Sequence, residues 1–93
     1  MKEFDGEVLL KTKSGNFRAY WVQILGQEIH FYKEKDCDMH EFMHSLVGTF
    51  VEEKGFKDTK TQDGSLWTIK IRVSQAKARV LYFREEKDYL IWV

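Results

Sequence analysis

Cys37, His40 and His44 stand at spacings i, i+3 and i+7. On a helix that spacing would turn one thiolate and two imidazoles toward a single zinc ion. A structural zinc site needs four such donors, and no second Cys-x-x-Cys or His pair is present to complete the tetrahedron. The three are therefore read as residues of a polar loop, and the expectation is no metal and no cofactor. Cys37 beside His40 could in principle be a nucleophile with its base, but nothing near them supplies an orienting group or an oxyanion hole. There is no Gly-rich phosphate loop, no nucleophile elbow and no pair of acids at a recognisable spacing. The chain is expected not to be an enzyme. His30, at an alternating position in an apolar run, reads as packed or solvent-facing.

Cations are the other source of chemistry. Lys70, Arg72, Lys77 and Arg79 form a basic cluster near the C-terminal end, read as the solvated outer face of two strands. Aromatic and basic residues interleave elsewhere, as in barrels that stack nucleic-acid bases. The overall balance opposes that function: 15 Lys+Arg meet 15 Asp+Glu, a formal charge of zero. A global positive field for nucleic acid is absent, and no nucleic-acid partner is expected. Residues 1–35 hold six basic and five acidic side chains, residues 36–60 three and six, and residues 61–93 six and four. Any anion site must be a local patch, and the acidic middle, with Asp36, Asp38 and Glu41, would blunt a neighbouring one.

The elements that position these residues must fit into 93 residues, read as one domain over 1–93. Its 7 Phe, 4 Tyr and 3 Trp supply a small aromatic-rich core. The single cysteine permits no internal disulfide, which points to a reducing, cytoplasmic setting. No apolar run approaches the ~20 residues of a membrane span, and the first residues do not form a secretory signal. Period-two alternation predicts strands over Glu7–Lys13, Phe17–Leu25 and Glu28–Lys33, joined by turns at Ser14-Gly15-Asn16 and Gly26-Gln27. Residues 34–44 read as a loop with a short helical turn through Met39, Phe42 and Met43. Further strands are expected at Ser45–Val51, Phe56–Thr61, Trp67–Val73 and Arg79–Arg84. In the sixth, Trp67, Ile69, Ile71 and Val73 should face inward and Thr68, Lys70 and Arg72 outward. Glu85-Glu86-Lys87-Asp88 then opens a short helix with acids in its first turn.

In this order the residues resemble a pleckstrin homology (PH) domain. The resemblance rests on Gly6-Glu7-Val8-Leu9-Leu10-Lys11, on Phe17-Arg18-Ala19-Tyr20-Trp21-Val22-Gln23-Ile24, on Ile29-His30-Phe31-Tyr32-Lys33, on Gly48-Thr49-Phe50, and on Trp92 in the terminal helix. Within the family, Phe4-Asp5-Gly6, Leu9-Leu10, Tyr20-Trp21 and Gly26 with Phe31-Tyr32 are similar to signal-transducing adaptor proteins that pair a PH with an SH2 domain. The resemblance implies a mainly β fold: a barrel of seven antiparallel strands in two near-orthogonal sheets, capped by the C-terminal helix bearing Tyr89 and Trp92. That helix stops one residue after Trp92, where the family's continues, so the resemblance reads the domain as trimmed or split there.

The resemblance also implies a site between the first two hairpins in which Lys11, Lys13, Arg18, Lys33 and Lys35, with Tyr32, hold lipid phosphates. Cations converging on a headgroup would act through charge-assisted hydrogen bonds. Tyr20 stands where the family's selective binders carry a second arginine, which implies weak selectivity. The function implied is non-catalytic recruitment of a larger signalling or cytoskeletal protein to anionic, phosphoinositide-containing membrane, as a cytoplasmic, peripherally membrane-associated module. The alternative is a protein-interaction scaffold that holds a peptide between the fifth strand and the helix, or on the 34–44 loop.

Overall fold

Alternating Val, Leu, Ile and aromatic residues give this chain its strands, and the turn residues between them set the register. A computed structural model describes residues 4–61, 63–72 and 77–92. Among these, the elements are β1 (Asp5–Lys11), β2 (Phe17–Leu25), β3 (Glu28–Tyr32), β4 (Phe42–Ser45), β5 (Phe50–Asp58), β6 (Ser65–Arg72), β7 (Ala78–Phe83) and α1 (Glu86–Ile91). Every pairing is antiparallel.

The expectation of two near-orthogonal sheets closed into a barrel is corrected. The strands form one sheet in the order β4-β3-β2-β1-β7-β6-β5, with β4 and β5 as its unjoined edges. The sheet is continuous because β1 hydrogen-bonds on both sides, to β2 along its length and to β7 at the pair Leu9↔Tyr82. One core nevertheless serves both halves. Val8, Val22, Ile29 and Phe31 pack in the same buried cluster as Ile69, Ile71, Leu81 and Phe83. Helix α1 completes it through Tyr89 and its C-cap residue Trp92, which lies 5.3 Å from Phe4 and 5.9 Å from Phe83, ring centre to ring centre.

The middle of the chain departs from the predicted elements. No helical turn forms through Phe42 and Met43. They belong to β4, where Phe42 pairs with Phe31 and stacks on it at 4.6 Å and 19°. The expected strand Ser45–Val51 is broken by a turn. There the Leu46 N–H donates to the Gln27 carbonyl at 2.7 Å, the Thr49 hydroxyl donates to the Leu46 carbonyl at 2.8 Å, and Gly48 takes φ 73°. Strand β5 therefore begins at Phe50 and absorbs the start of the predicted fifth strand. The first strand is shifted two residues toward the N-terminus. In β6, Thr68 lies on the outer face as expected but is only 4% exposed. Val73, expected to face inward, and residues 74–76 lie outside the described residues.

Candidate anion-binding site

Directly opposed residues in an antiparallel ladder share a face, and this decides where each predicted cation goes. Leu10 pairs with Arg18, and Lys11 with Phe17. Val8 and Leu10 belong to the core cluster, so Arg18 lies on the core side of the sheet, where its guanidinium sits 5.2 Å from the centre of the Tyr20 ring. Lys11 and Phe17 lie on the opposite, outer side. Two residues expected to converge on one headgroup, Lys11 and Arg18, are on opposite faces. Lys13 is exposed in the hairpin turn, which is closed by the Thr12 N–H donating to the Asn16 carbonyl at 2.7 Å.

Lys33 and Lys35 form a third group. They line a shallow depression of about 270 Å³ with Glu7, Trp21 and Glu34, and the Lys35 ammonium sits 5.2 Å from the centre of the Trp21 ring. Two carboxylates beside two ammoniums leave little net attraction for an anion. Tyr32 pairs with Trp21 across the ladder but does not line this depression, and its ring lies 6.4 and 6.3 Å from those of His30 and His40.

Lys11 instead joins lysines that the sequence reading did not assemble. On the outer face, Thr68 pairs with Tyr82 and Lys70 with Val80, and these floor an open cavity of about 310 Å³. Lys11 and Phe17 form one wall, Lys54 and Lys57 the other, and the Phe17 and Tyr82 rings meet edge to face at 4.7 Å. Space for the cavity comes from β5. Its register slips between Glu53 and Gly55, so that Lys54 is the extra residue of a bulge and Gly55 opposes Thr68. A Cβ placed on Gly55 would meet nothing within 4 Å, so the position above Thr68 stays open. Bulges commonly re-aim side chains beside functional sites, and this one brings Lys54 to the cavity wall.

The electrostatics of the cavity are cationic but not unopposed. Lys11, Lys54, Lys57 and Lys70 line it with Asp58. The Lys54 ammonium also lies 3.1 Å from Glu52, a carboxylate held below its ordinary pKa by hydrogen bonds from Arg72 and then from Lys54. Burial pushes the Tyr82 phenol above its ordinary value, so it remains a neutral hydroxyl at physiological pH. The chemistry that fits is a multivalent oxyanion met by ammonium groups, with an aromatic wall beside it.

No protein-family model and no curated protein matches this chain.

The remaining expected residues separate further. Lys70 lines the cavity, Arg72 pairs with Glu52 at 2.9 Å, and Arg79 crosses the core side to donate from Nη2 to Nε2 of His44 at 3.1 Å while lying over the Phe42 ring. His44 is thus on the core side, whereas Nδ1 of His40 meets Nδ1 of His30 on the outer side. The helical face that would have joined Cys37, His40 and His44 does not form, and among the described residues no three His, Cys, Asp or Glu side chains converge as metal donors. Lys54 and Lys57 were missed because their convergence depends on the bulge at Gly55. The signal for it was present, as a glycine in the run Lys54-Gly55-Phe56-Lys57.

Proposed function

We propose that this chain is a non-catalytic, PH-like module that binds phosphorylated anionic headgroups, of which phosphoinositides are the membrane form. The binding site is the outer-face cavity of Lys11, Lys54, Lys57 and Lys70. The observation that carries the reading is the convergence of these four lysines on one cavity beside the neutral Tyr82 hydroxyl. The PH-like reading of the fold is supported by the antiparallel succession of seven strands, by the brief β1–β7 pairing and by the buried Trp92 that caps the C-terminal end of α1. Recruitment works by neutralisation of a local patch, because the chain as a whole carries no net charge. Selectivity is weak, since flexible ammonium groups act as point charges without the bidentate geometry of arginine. Attachment is peripheral, as no helix among the described residues is long and apolar enough to cross a membrane. The test is sedimentation with vesicles of neutral lipid alone and of neutral lipid doped with a phosphoinositide. Binding to the doped vesicles that weakens steeply with salt is expected, and equal sedimentation with both would contradict the reading.

A second reading has its own observation. β5 is an edge strand, and beside it Phe56, 58% exposed, continues into Trp67 at 4.8 Å and on to the buried Tyr89 of α1 at 5.0 Å. An extended peptide added to that edge would find main-chain partners and an aromatic shelf together. This is the protein-interaction alternative, and lipid-independent capture of such a peptide would favour it.

A further inference from the structure

His30 and His40 face each other through equivalent ring nitrogens, with Nδ1 to Nδ1 at 3.1 Å, while Nε2 of His30 lies 3.2 Å from a carboxylate oxygen of Glu28. The strands bring this about. Glu28 and His30 share a face of β3 as alternate residues, and the Glu41 N–H donating to the Phe31 carbonyl at 2.7 Å draws the end of the connection, with His40, against that strand. Glu28 can accept from Nε2–H of His30, and in that tautomer the ring presents its Nδ1 lone pair to His40. A carboxylate on the far nitrogen of an imidazole is the usual way a metal-binding histidine is oriented and made more basic. Two nitrogens bound to one ion at about 2.0 to 2.1 Å stand about 3.3 Å apart at a tetrahedral angle and about 2.9 Å apart at a right angle, and the observed 3.1 Å lies between. Met43, directly across the ladder from His30 and so on the same face, adds a soft thioether neighbour.

We propose that Nδ1 of His30 and Nδ1 of His40 together bind a late first-row divalent ion, Zn²⁺ or Cu²⁺, with water completing the shell and Glu28 orienting His30. The site lies apart from the lysine cavity and does not depend on the anion-binding reading. Binding forms two metal–nitrogen bonds, and two waters leave the shell of the hydrated ion. The His40 proton moves from Nδ1 to Nε2 through solvent, so the neutral pair keeps its proton count. The ion then replaces a hydrogen bond between β3 and the connection to β4 with a coordinate link.

The chain, stripped of metal by a chelator, is titrated with Zn²⁺, Cu²⁺ and, as a control, Mg²⁺, with heat and the histidine ring resonances followed together. Zn²⁺ or Cu²⁺ is expected to saturate at one equivalent and shift the His30 and His40 ring signals, whereas Mg²⁺ leaves them unmoved. His30 is partly buried and its loss can disturb β3, so the decisive variant is His40→Gln in the exposed connection, expected to weaken binding at least tenfold. Glu28→Gln should cost about tenfold, as loss of an orienting partner does, while Cys37→Ser and His44→Gln bind as wild type. Absence of saturable binding, undiminished binding in His40→Gln, or loss of binding in Cys37→Ser would overturn the proposal.

Discussion

His44 sits against Phe31 and Phe42 with the Arg79 guanidinium on its Nε2, and burial first, then Arg79 and Lys77, hold its pKa below the ordinary 6.5. Arg79 can only donate, so the bond requires a neutral imidazole. In the unfolded chain the same residue takes up its proton near 6.5, whereas in the fold it does so only at lower pH. The unfolded state therefore binds more protons in the interval between, and stability falls as pH drops below about 6.5, levelling off once the folded pKa is passed. His44→Gln should flatten this slope, which thermal unfolding of both proteins between pH 7.5 and 5 would read (~2.5 pH units spanning the histidine range). A slope unchanged by the substitution would mean that other groups carry it. Residue chemistry was legible in the sequence, but residue geometry was not. Lys11 and Arg18 differ in face because the turn over 12–16 pairs Lys11 with Phe17, and the register across a turn of that length is set by backbone hydrogen bonds rather than by residue type.

At the scale of elements, β1, β2, β3, β6, β7 and α1 could be read directly, since alternation such as Trp67-Thr68-Ile69-Lys70-Ile71 survives wherever the ladder is regular. The β4–β5 region could not, because the turn at Gly48 and the bulge at Gly55 both interrupt the period of two. Gly55 holds φ 77°, a conformation that costs an L-residue roughly 1 to 2 kcal/mol. Gly55→Ala should lower stability by about that amount, seen as a lower urea midpoint at constant slope. It should also weaken anion binding if the chain relieves the strain by abandoning the bulge that brings Lys54 to the cavity. Helix α1 has only the six residues Glu86–Ile91 and no side-chain N-cap bond, so its stability must come from packing. Trp92→Ala should cost about 3 to 5 kcal/mol, a large share of the stability of a domain this size. Among the described residues the buried indole Nε1 has no hydrogen-bond partner, so Trp92→Phe, which removes that donor, should cost much less. Equal losses for the two would indicate that the indole nitrogen is satisfied in solution.

For the whole molecule, the formal charge of zero shifts the argument to how the charge is distributed. Acidic side chains beside Lys33 and Lys35 cancel one expected patch, whereas the four lysines of the outer-face cavity are opposed by Asp58 in its lining and by Glu52 at Lys54. Binding should therefore be weak and strongly salt-sensitive, falling sharply as ionic strength rises from about 0.05 to 0.5 M and the screening length shrinks. The direct test is a pair of charge reversals measured on the same phosphoinositide vesicles, Lys57→Glu on the outer face and Arg18→Glu on the core side. The account predicts that Lys57→Glu weakens binding on the order of tenfold, equivalent to about 1.4 kcal/mol, while Arg18→Glu changes it little. Loss with Arg18→Glu and retention with Lys57→Glu would contradict it and return the site to the other face of the sheet.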